Sequence, residues 1–233
     1  MVEKAVRNMR ENNNISSKVL KIKESEEIDK IKLAASFIRT GKIVIIPTDT
    51  LYGLATNPFN VDAVKRIYEI KRRPLTKPIP LLISNKKRLH DLVIVNTLSE
   101  KLIERFWPGQ LTIIFKMRNV SVPRIVTAGS DKLALRMPNH TVALKIIELS
   151  EGIITGTSAN ISGETSPKSV EEVKEEIAKK VDLIVDCGTA LGLPSTIVDI
   201  TSRKPCILRE GAIKKTEVED ILSIKIDYCS SRP

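Results

Sequence analysis

Along the chain the apolar positions fall into short blocks whose spacing alternates between two periods. Ile28, Ile31, Ala35 and Ile38 recur every three or four residues, the spacing of one helix face, in a segment that opens at Ser25 and stops at Gly41. "KIVIIP" (42–47) is a β-branched run and predicts a strand. Asn60 stands where a cap is needed before Val61, Val64, Ile67 and Tyr68, a second helical stripe running to Lys71. "IPLLI" (79–83) predicts the next strand. Thr97 and Glu100 have capping-box spacing before a helix that ends at "WPG". "LTIIFK" (111–116) and "LALRMP" (133–138) read as strands, "TVALKIIELS" (141–150) as a helix and "GIITG" (152–156) as a strand. Ser169 and Glu172 predict a second capping box opening "VEEVKEEIAKKV". "LIVD" (183–186), "TIVDI" (196–200) and "CILRE" (206–210) complete the strands.

Helices and strands alternate without a linker or a repeat, which predicts one α/β domain: a twisted, mostly open sheet flanked by helices. Residues 1–24 read as a polar extension and lead-in, 25–213 as the folded unit and 214–233, ending "IDYCSSRP", as a C-terminal tail.

Composition narrows the picture. Of 233 residues 42% are apolar, enough for a core, but only 3% are aromatic, so aliphatic side chains must build it. No apolar run approaches the roughly 20 residues that span a bilayer, and the N-terminus lacks the apolar centre of a secretory signal. The expectation is a cytoplasmic protein with no membrane partner. Cys187, Cys206 and Cys229 are odd in number and widely spaced, His90 and His140 are far apart, and no CxxC occurs. That argues against a disulfide framework and a zinc site, and for cysteines that pack as small hydrophobes. No protein metal ligands are expected. The net charge of +10 fits a polyanion partner such as nucleotide or RNA, and equally the solubility of a Lys/Glu-rich surface. The scarcity of aromatics weakens a stacking platform for single-stranded RNA.

Four loops after strands concentrate polar chemistry, where open α/β sheets gather ligands. "PTDTLYGLA" (47–55) offers hydroxyls, a carboxylate and Gly53, but taken alone an Asp-containing turn explains it. "IKRRPLTKPIPLLI" (70–83) crowds four cations among three prolines. Helix termination accounts for Lys71, Arg72, Arg73 and Pro74; it does not account for Lys77 between prolines, whose restricted backbone would preorganise charge for a polyphosphate. "TGTSANISGETSPKS" (155–169) is either an anion-binding nest or a surface loop. "CGTALGLPSTIVD" (187–199) and "LREG" (208–211) bring Ser195 and Arg209, with no positioned histidine to make the serine a nucleophile. Neither a Walker A loop nor a GxGxxG fingerprint is present. The residues alone give a basic α/β domain with an anion site and name no reaction.

In order, "PTDTLYGLA", "IKRRPLTKPIPLLI", "WPGQLTIIF", "LALRMPNH", "TSANISG", "LPSTIVD" and "ILREGAI" resemble the YrdC/Sua5 family over about residues 25–213. The resemblance implies a YrdC-like fold with a basic concave face and an L-threonylcarbamoyladenylate synthase. Such an enzyme joins L-threonine, bicarbonate or CO2 and ATP, with Mg²⁺, and releases pyrophosphate, a nucleotidyltransferase reaction. A separate threonylcarbamoyl transferase complex would then modify A37 of tRNA (the t6A modification). The resemblance places the family's KxR and SxN signature on Lys71, Arg73, Ser158 and Asn160. It implies threonine contacts from Thr50, Arg136, Ser158 and Ser195. It implies ATP contacts from Lys71, Arg73, Lys77, Lys132, Gly156, Ser166 and Arg209. Three positions depart from the pattern: Asp49 where many members have Glu, Lys132 where some have Thr, and Leu82 where Sua5 proteins have His. The extra C-terminal domain of Sua5 is not expected. The rival class is a non-catalytic module binding tRNA or double-stranded RNA.

Overall fold

A computed structural model describes residues 15–23, 27–118 and 122–230. Strands β1 (Val19–Lys21), β9 (Leu183–Asp186), β2 (Val44–Ile46), β3 (Gly53–Ala55) and β8 (Thr157–Ser158) lie side by side in that order in one sheet. A larger sheet runs β12 (Asp227–Tyr228), β11 (Cys206–Arg209), β10 (Thr196–Asp199), β5 (Leu111–Lys116), β6 (Lys132–Arg136), β4 (Leu81–Ile83) and β7 (Ile153–Thr155). The class is α/β as expected, but the strands divide into two mixed sheets rather than one. β7 belongs to the larger sheet and β8 to the smaller, so the chain crosses between them at Gly156.

Local choices in the sequence make these elements. The first helix, α1 (Ile28–Arg39), buries Ile31, Ala34, Ala35 and Ile38; Ile28 is exposed, and the expected start at Ser25 lies outside the described residues. In α2 (Val61–Lys71) the Asn60 side chain accepts from Ala63 N–H at 3.0 Å, the cap its position predicts. Helix α3 (Leu89–Leu92) is a single turn. For α4 (Thr97–Phe106) the predicted box is displaced by one residue: Asn96 and Ser99 cap each other's backbone N–H, and Thr97 is the first helical residue. After the short α5 (Arg124–Thr127), α6 (Thr141–Leu149) starts at His140, whose Nδ1 accepts from Ala143 N–H at 3.3 Å. Helix α7 covers only Glu175–Lys180. The second predicted box does not form, because Glu172 instead accepts Lys168 N–H at 2.9 Å while the Pro167 and Lys168 carbonyls receive Tyr52 and Ala190 N–H.

Two aliphatic clusters hold the layers together. The larger joins Tyr52, Val64, Ile67, Leu81, Phe115, Leu135 and Ile184; the smaller packs α1 and α6 on Val44, Ile46, Leu82, Ile154 and Leu183. The three residues of β2 are wholly buried, each stabilising the fold by roughly 1.5–3 kcal/mol through lost apolar exposure.

The C-terminal segment corrects two expectations. Residues 214–230, read as part of a tail, fold back: α8 (Lys215–Leu222) buries Val218 and Leu222, Ile226 is buried, and β12 pairs with β11. Cys206 and Cys229 are joined in a disulfide, where the sequence reading had them as packed thiols. The edge pairing of β12 brings them together, a long-range register that spacing does not reveal. Cys187 is free and half-buried; burial and the nearby Asp186 carboxylate push its thiol up to about 11. At the other end, within the stretch read as a polar extension and lead-in, residues 15–21 form a 3-10 turn and the edge strand β1. Among the described residues no helix is long and apolar enough to cross a membrane.

Candidate functional site

Where the chain crosses from β7 to β8, the two sheets enclose a cleft of about 170 Å³. Its walls come from the loop joining β2 to β3 (Thr48, Thr50, Tyr52), from Arg73, from Leu82 and Arg136 on β4 and β6, from Gly156 to Ser158, and from Ser166, Ser195 and Arg209. Eight residues singled out in the sequence therefore meet at one place: Thr50, Arg73, Arg136, Gly156, Ser158, Ser166, Ser195 and Arg209. A larger hollow of about 550 Å³ behind Asp49, bounded by Arg105, Gln110, His140 and Leu191, is lined by none of them.

Arg136 is set in place by three segments. Its Nε donates to the Gly109 carbonyl at 2.8 Å, one terminal nitrogen donates to Thr50 Oγ1 at 2.7 Å, and the other pairs with the Asp49 carboxylate. A guanidinium has five N–H donors, so two remain for a ligand. Asp49 compensates the buried charge, and burial lowers the Arg136 pKa from its ordinary value. The sequence pattern gave Asp49 no role beyond a turn; its partner is 87 residues away.

Arg73 and Arg209 supply charge with no carboxylate beside them among the described ion pairs. Arg73 donates to the carbonyls of Lys77 and Pro78 at 3.1 and 2.8 Å, so the proline-rich turn orients the guanidinium. Arg209 donates to the Ser195 carbonyl at 2.9 and 3.1 Å and to Ser195 Oγ at 3.2 Å. Burial lowers both pKa values, and Arg73 lowers that of Arg209 further, as expected of two cations facing the same space. Ser195 Oγ also lies 2.8 Å from Thr112 Oγ1, a contact the sequence reading missed.

Four predicted residues, Lys71, Asn160, Lys77 and Lys132, lie elsewhere. Lys71, expected to neutralise phosphates, is almost fully buried and does not line the cleft. Its ammonium donates to the Ser158 carbonyl, to the Asn160 carbonyl at 2.8 Å and to Asn160 Oδ1 at 3.2 Å, and its own carbonyl accepts Ser162 N–H. Asn160 Oδ1 in turn accepts from Ser158 Oγ at 2.5 Å. The KxR and SxN signature thus joins helix to loop, and of its four residues only Arg73 and Ser158 reach the cleft. Lys77 is exposed outside the cleft; its carbonyl, not its ammonium, takes part by orienting Arg73. Lys132 is four residues from Arg136 along β6, and its charge is committed to Asp199 at 2.8 Å. Gly156 is dictated by Leu82, because a Cβ there would lie 2.3 Å from Leu82 Cγ.

The cleft has no free carboxylate: Asp49 is spent on Arg136, and among the described residues no cluster of three His, Cys, Asp or Glu side chains stands ready for a metal. The donor set is cationic and hydroxylic, suited to anions rather than to a resident divalent ion.

Fold and site together define a two-sheet α/β protein with a preorganised anion cleft between the sheets. The family model described as "Telomere recombination", which spans the Sua5, YciO and YrdC proteins, matches residues 36–211. The chain belongs to that family. It is 43% identical over 206 residues to the threonylcarbamoyl-AMP synthase of Pyrococcus abyssi, covering 88% of this chain and 60% of that relative. It is 39% identical to the threonylcarbamoyl-AMP synthase of Bacillus subtilis, covering 82% of this chain and 56% of the relative. The chain thus spans little more than half the length of these two relatives, but 95% of a Methanocaldococcus jannaschii protein to which it is 40% identical. The crystal structure of P. abyssi Sua5 complexed with L-threonine superposes with a TM-score of 0.86 at 42% identity, over 90% of this chain and 62% of the other. E. coli YciO gives 0.75 at 26% identity, over 84% and 95%.

Proposed function

We propose that this chain is an L-threonylcarbamoyladenylate synthase, a nucleotidyltransferase acting on L-threonine, bicarbonate or CO2, and ATP. The single observation that carries the reading is the meeting of Arg73, Arg136 and Arg209 in one cleft whose lining contains no acidic side chain. Two relatives that share most of this chain bear the name of that activity.

In this reading the two remaining N–H groups of Arg136 take the threonine carboxylate, and Thr50, Ser158 and Ser195 surround the rest of the amino acid. Arg73, Arg209, Gly156 and Ser166 face the nucleotide. At about 170 Å³ the cleft is smaller than the roughly 300–1,000 Å³ of typical small-molecule sites. The adjoining hollow of about 800 Å³ along residues 163–168 shares Ser166 with it and would take the remainder of the nucleotide.

The amine of threonine adds to CO2 and loses a proton to solvent, giving an N-carboxylate that an enclosed cleft protects from water. A carboxylate oxygen then attacks the α-phosphorus in line. The new O–P bond forms as the bond from the α-phosphorus to the bridging oxygen breaks, and the electron pair leaves with pyrophosphate. Arg73 and Arg209 meet that developing charge without rearrangement, and Lys71 acts at one remove by fixing Ser158. No side-chain nucleophile is used. Because the lining offers no carboxylate ligand, Mg²⁺ enters only as the counter-ion that ATP carries, and no step is assigned to it. The product would serve a threonylcarbamoyl transferase complex that modifies A37 of tRNA.

Mass spectrometry of the small-molecule products tests the proposal. With ATP, bicarbonate and L-threonine it should reveal threonylcarbamoyl-AMP and one equivalent of pyrophosphate. No product, together with salt-sensitive retention of tRNA or double-stranded RNA, would replace the proposal by the RNA-binding module.

A further inference from the structure

We infer that the Cys206–Cys229 bond is a redox latch on the anion cleft. Closed, it keeps the C-terminal strand β12 beside Arg209; opened by a dithiol reductant, it lets β12 go and weakens the hold on polyphosphate. The inference relies on the reading above that Arg209 meets the phosphate charge. Arg209 is held on one side by Ser195, whose carbonyl and Oγ accept from its guanidinium. On the other side stands β12. Tyr228 pairs with Ile207 in the parallel β11–β12 register, and the Cys229 N–H donates to the Ile207 carbonyl at 2.9 Å. The Tyr228 hydroxyl donates to Glu210 Oε2 at 2.9 Å. This one residue of β12 thus engages β11 and its exit on either side of Arg209 in the sequence.

The non-covalent hold on that residue is slight. β12 is two residues long and both are exposed, Tyr228 at 57%. The Tyr228 ring meets the Lys215 ammonium at 5.5 Å, a contact that contributes little where water reaches it. So short a strand with no buried face opens at small free-energy cost. The disulfide supplies the missing attachment. Both cysteines are half-buried, and β12 is the outermost strand of its sheet, so a reductant can approach the bond. The preceding segment has its own anchors: Val218, Leu222 and Ile226 are buried, and Glu219 accepts the Ile226 N–H at 3.0 Å. Opening is therefore confined to residues 227–229. In the exchange, a thiolate of the dithiol attacks one sulfur and the S–S bond breaks. The second thiolate then displaces the mixed disulfide; Cys206 and Cys229 become thiols, taking up the two protons the reductant gives up, and the reductant leaves oxidised. With β12 gone, β11 loses its outer partner and Glu210 its hydroxyl donor, so Arg209 has to be ordered by the ligand as it binds.

The test compares pyrophosphate affinity, by calorimetry, in oxidised and dithiothreitol-treated protein. Alkylation reports bond opening, and amide exchange reports where the chain loosens. Affinity should fall about 2–10-fold on reduction, the cost of one side chain left to be ordered. The Cys206→Ser/Cys229→Ser double variant should sit at the reduced value and ignore the reductant. Tyr228→Phe, with the bond closed, should lose part of the affinity. Exchange should quicken at residues 206–210 and 227–229 and stay slow in α8. Unchanged affinity after reduction, an equal loss of L-threonine affinity, or a Tyr228→Phe protein at full affinity overturns the latch. So does a bond that dithiothreitol fails to open in the native protein, or loosening that spreads through α8 and the larger sheet. In each of those cases an Arg209→Ala protein that binds pyrophosphate weakly leaves the synthase reading standing. If neither reduction nor Arg209→Ala matters, the phosphate role of Arg209 falls as well.

Discussion

Lys71 Nζ lies 2.8 Å from the carbonyl oxygen of Asn160 and 3.2 Å from its side-chain oxygen, so the last residue of α2 grips one loop residue at two points. The Ser158 carbonyl is the third acceptor. Only the ammonium form has three donors, so this geometry calls for a charged lysine in a nearly dry place. Lys71→Met should release residues 158–162. We expect kcat/KM to fall about 10²-fold, the size of effect produced by a misplacement near 1 Å, and amide exchange in that loop to accelerate. Unchanged exchange would remove Lys71 from the positioning role.

Burial, with Arg73 nearby, lowers the Lys71 pKa from 10.5 to about 7. Between about pH 7 and 10.5 the unfolded chain holds a proton there that the folded one has released. This group therefore makes stability rise with pH across that window, by on the order of a few kcal/mol, and the full penalty is felt below pH 7. Activity should move the other way, since losing the third donor loosens the loop. Bound polyphosphate raises the lysine pKa, so the fall in kcat should lie at higher pH than that in kcat/KM. Denaturant titrations at pH 6.5 and 9 on wild type and Lys71→Met check the sign: the variant should lack this part of the slope.

Arg209 faces Arg73 with no carboxylate between them, so a polyanion relieves their repulsion when it binds. Pyrophosphate affinity measured by calorimetry should weaken as salt is raised from 50 to 300 mM. Arg209→Ala should reduce it about 10–100-fold, the range of one or two hydrogen bonds to a charged group. An affinity indifferent to both changes would show that the anion sits elsewhere.

The Cys206–Cys229 bond spans 23 residues of sequence and fastens β12 to the strand that carries Arg209. Closing a loop of that length stabilises by roughly 3–4 kcal/mol in the chain-entropy picture. Cys229→Ser should lower the melting temperature by about 6–15 °C for a domain of this size. Alkylation without reductant should label Cys187 but neither of the other two; three labelled thiols on the native protein would contradict the pairing.

Much of this architecture can be read from spacing. Asn60 before a 3.6-residue stripe locates α2, and the β-branched runs locate the centres of β2, β5 and β9, because local pattern and burial agree there. Thr50, Arg136, Ser158 and Ser195 are marked out by the resemblance to the YrdC/Sua5 family rather than by spacing, and they do line one cleft. What local pattern misses is where a long side chain spends its charge. Lys132 looks as available as Arg136 in the sequence, yet Asp199 takes it; Lys71 looks like a phosphate ligand, yet a loop 87 residues on takes it. Asp49 and Cys229 acquire their roles from partners that only the assembled sheets bring near. The capping boxes at Thr97 and Ser169 failed for a related reason: a neighbouring Asn, or a backbone already engaged elsewhere, out-competed the motif.

The most direct measurement is pyrophosphate release from ATP with and without L-threonine and bicarbonate, on wild type and Arg73→Ala. The account predicts release that needs both co-substrates and falls by about 10²–10³-fold in the variant. Release that ignores threonine, or an Arg73→Ala protein as fast as wild type, would contradict it.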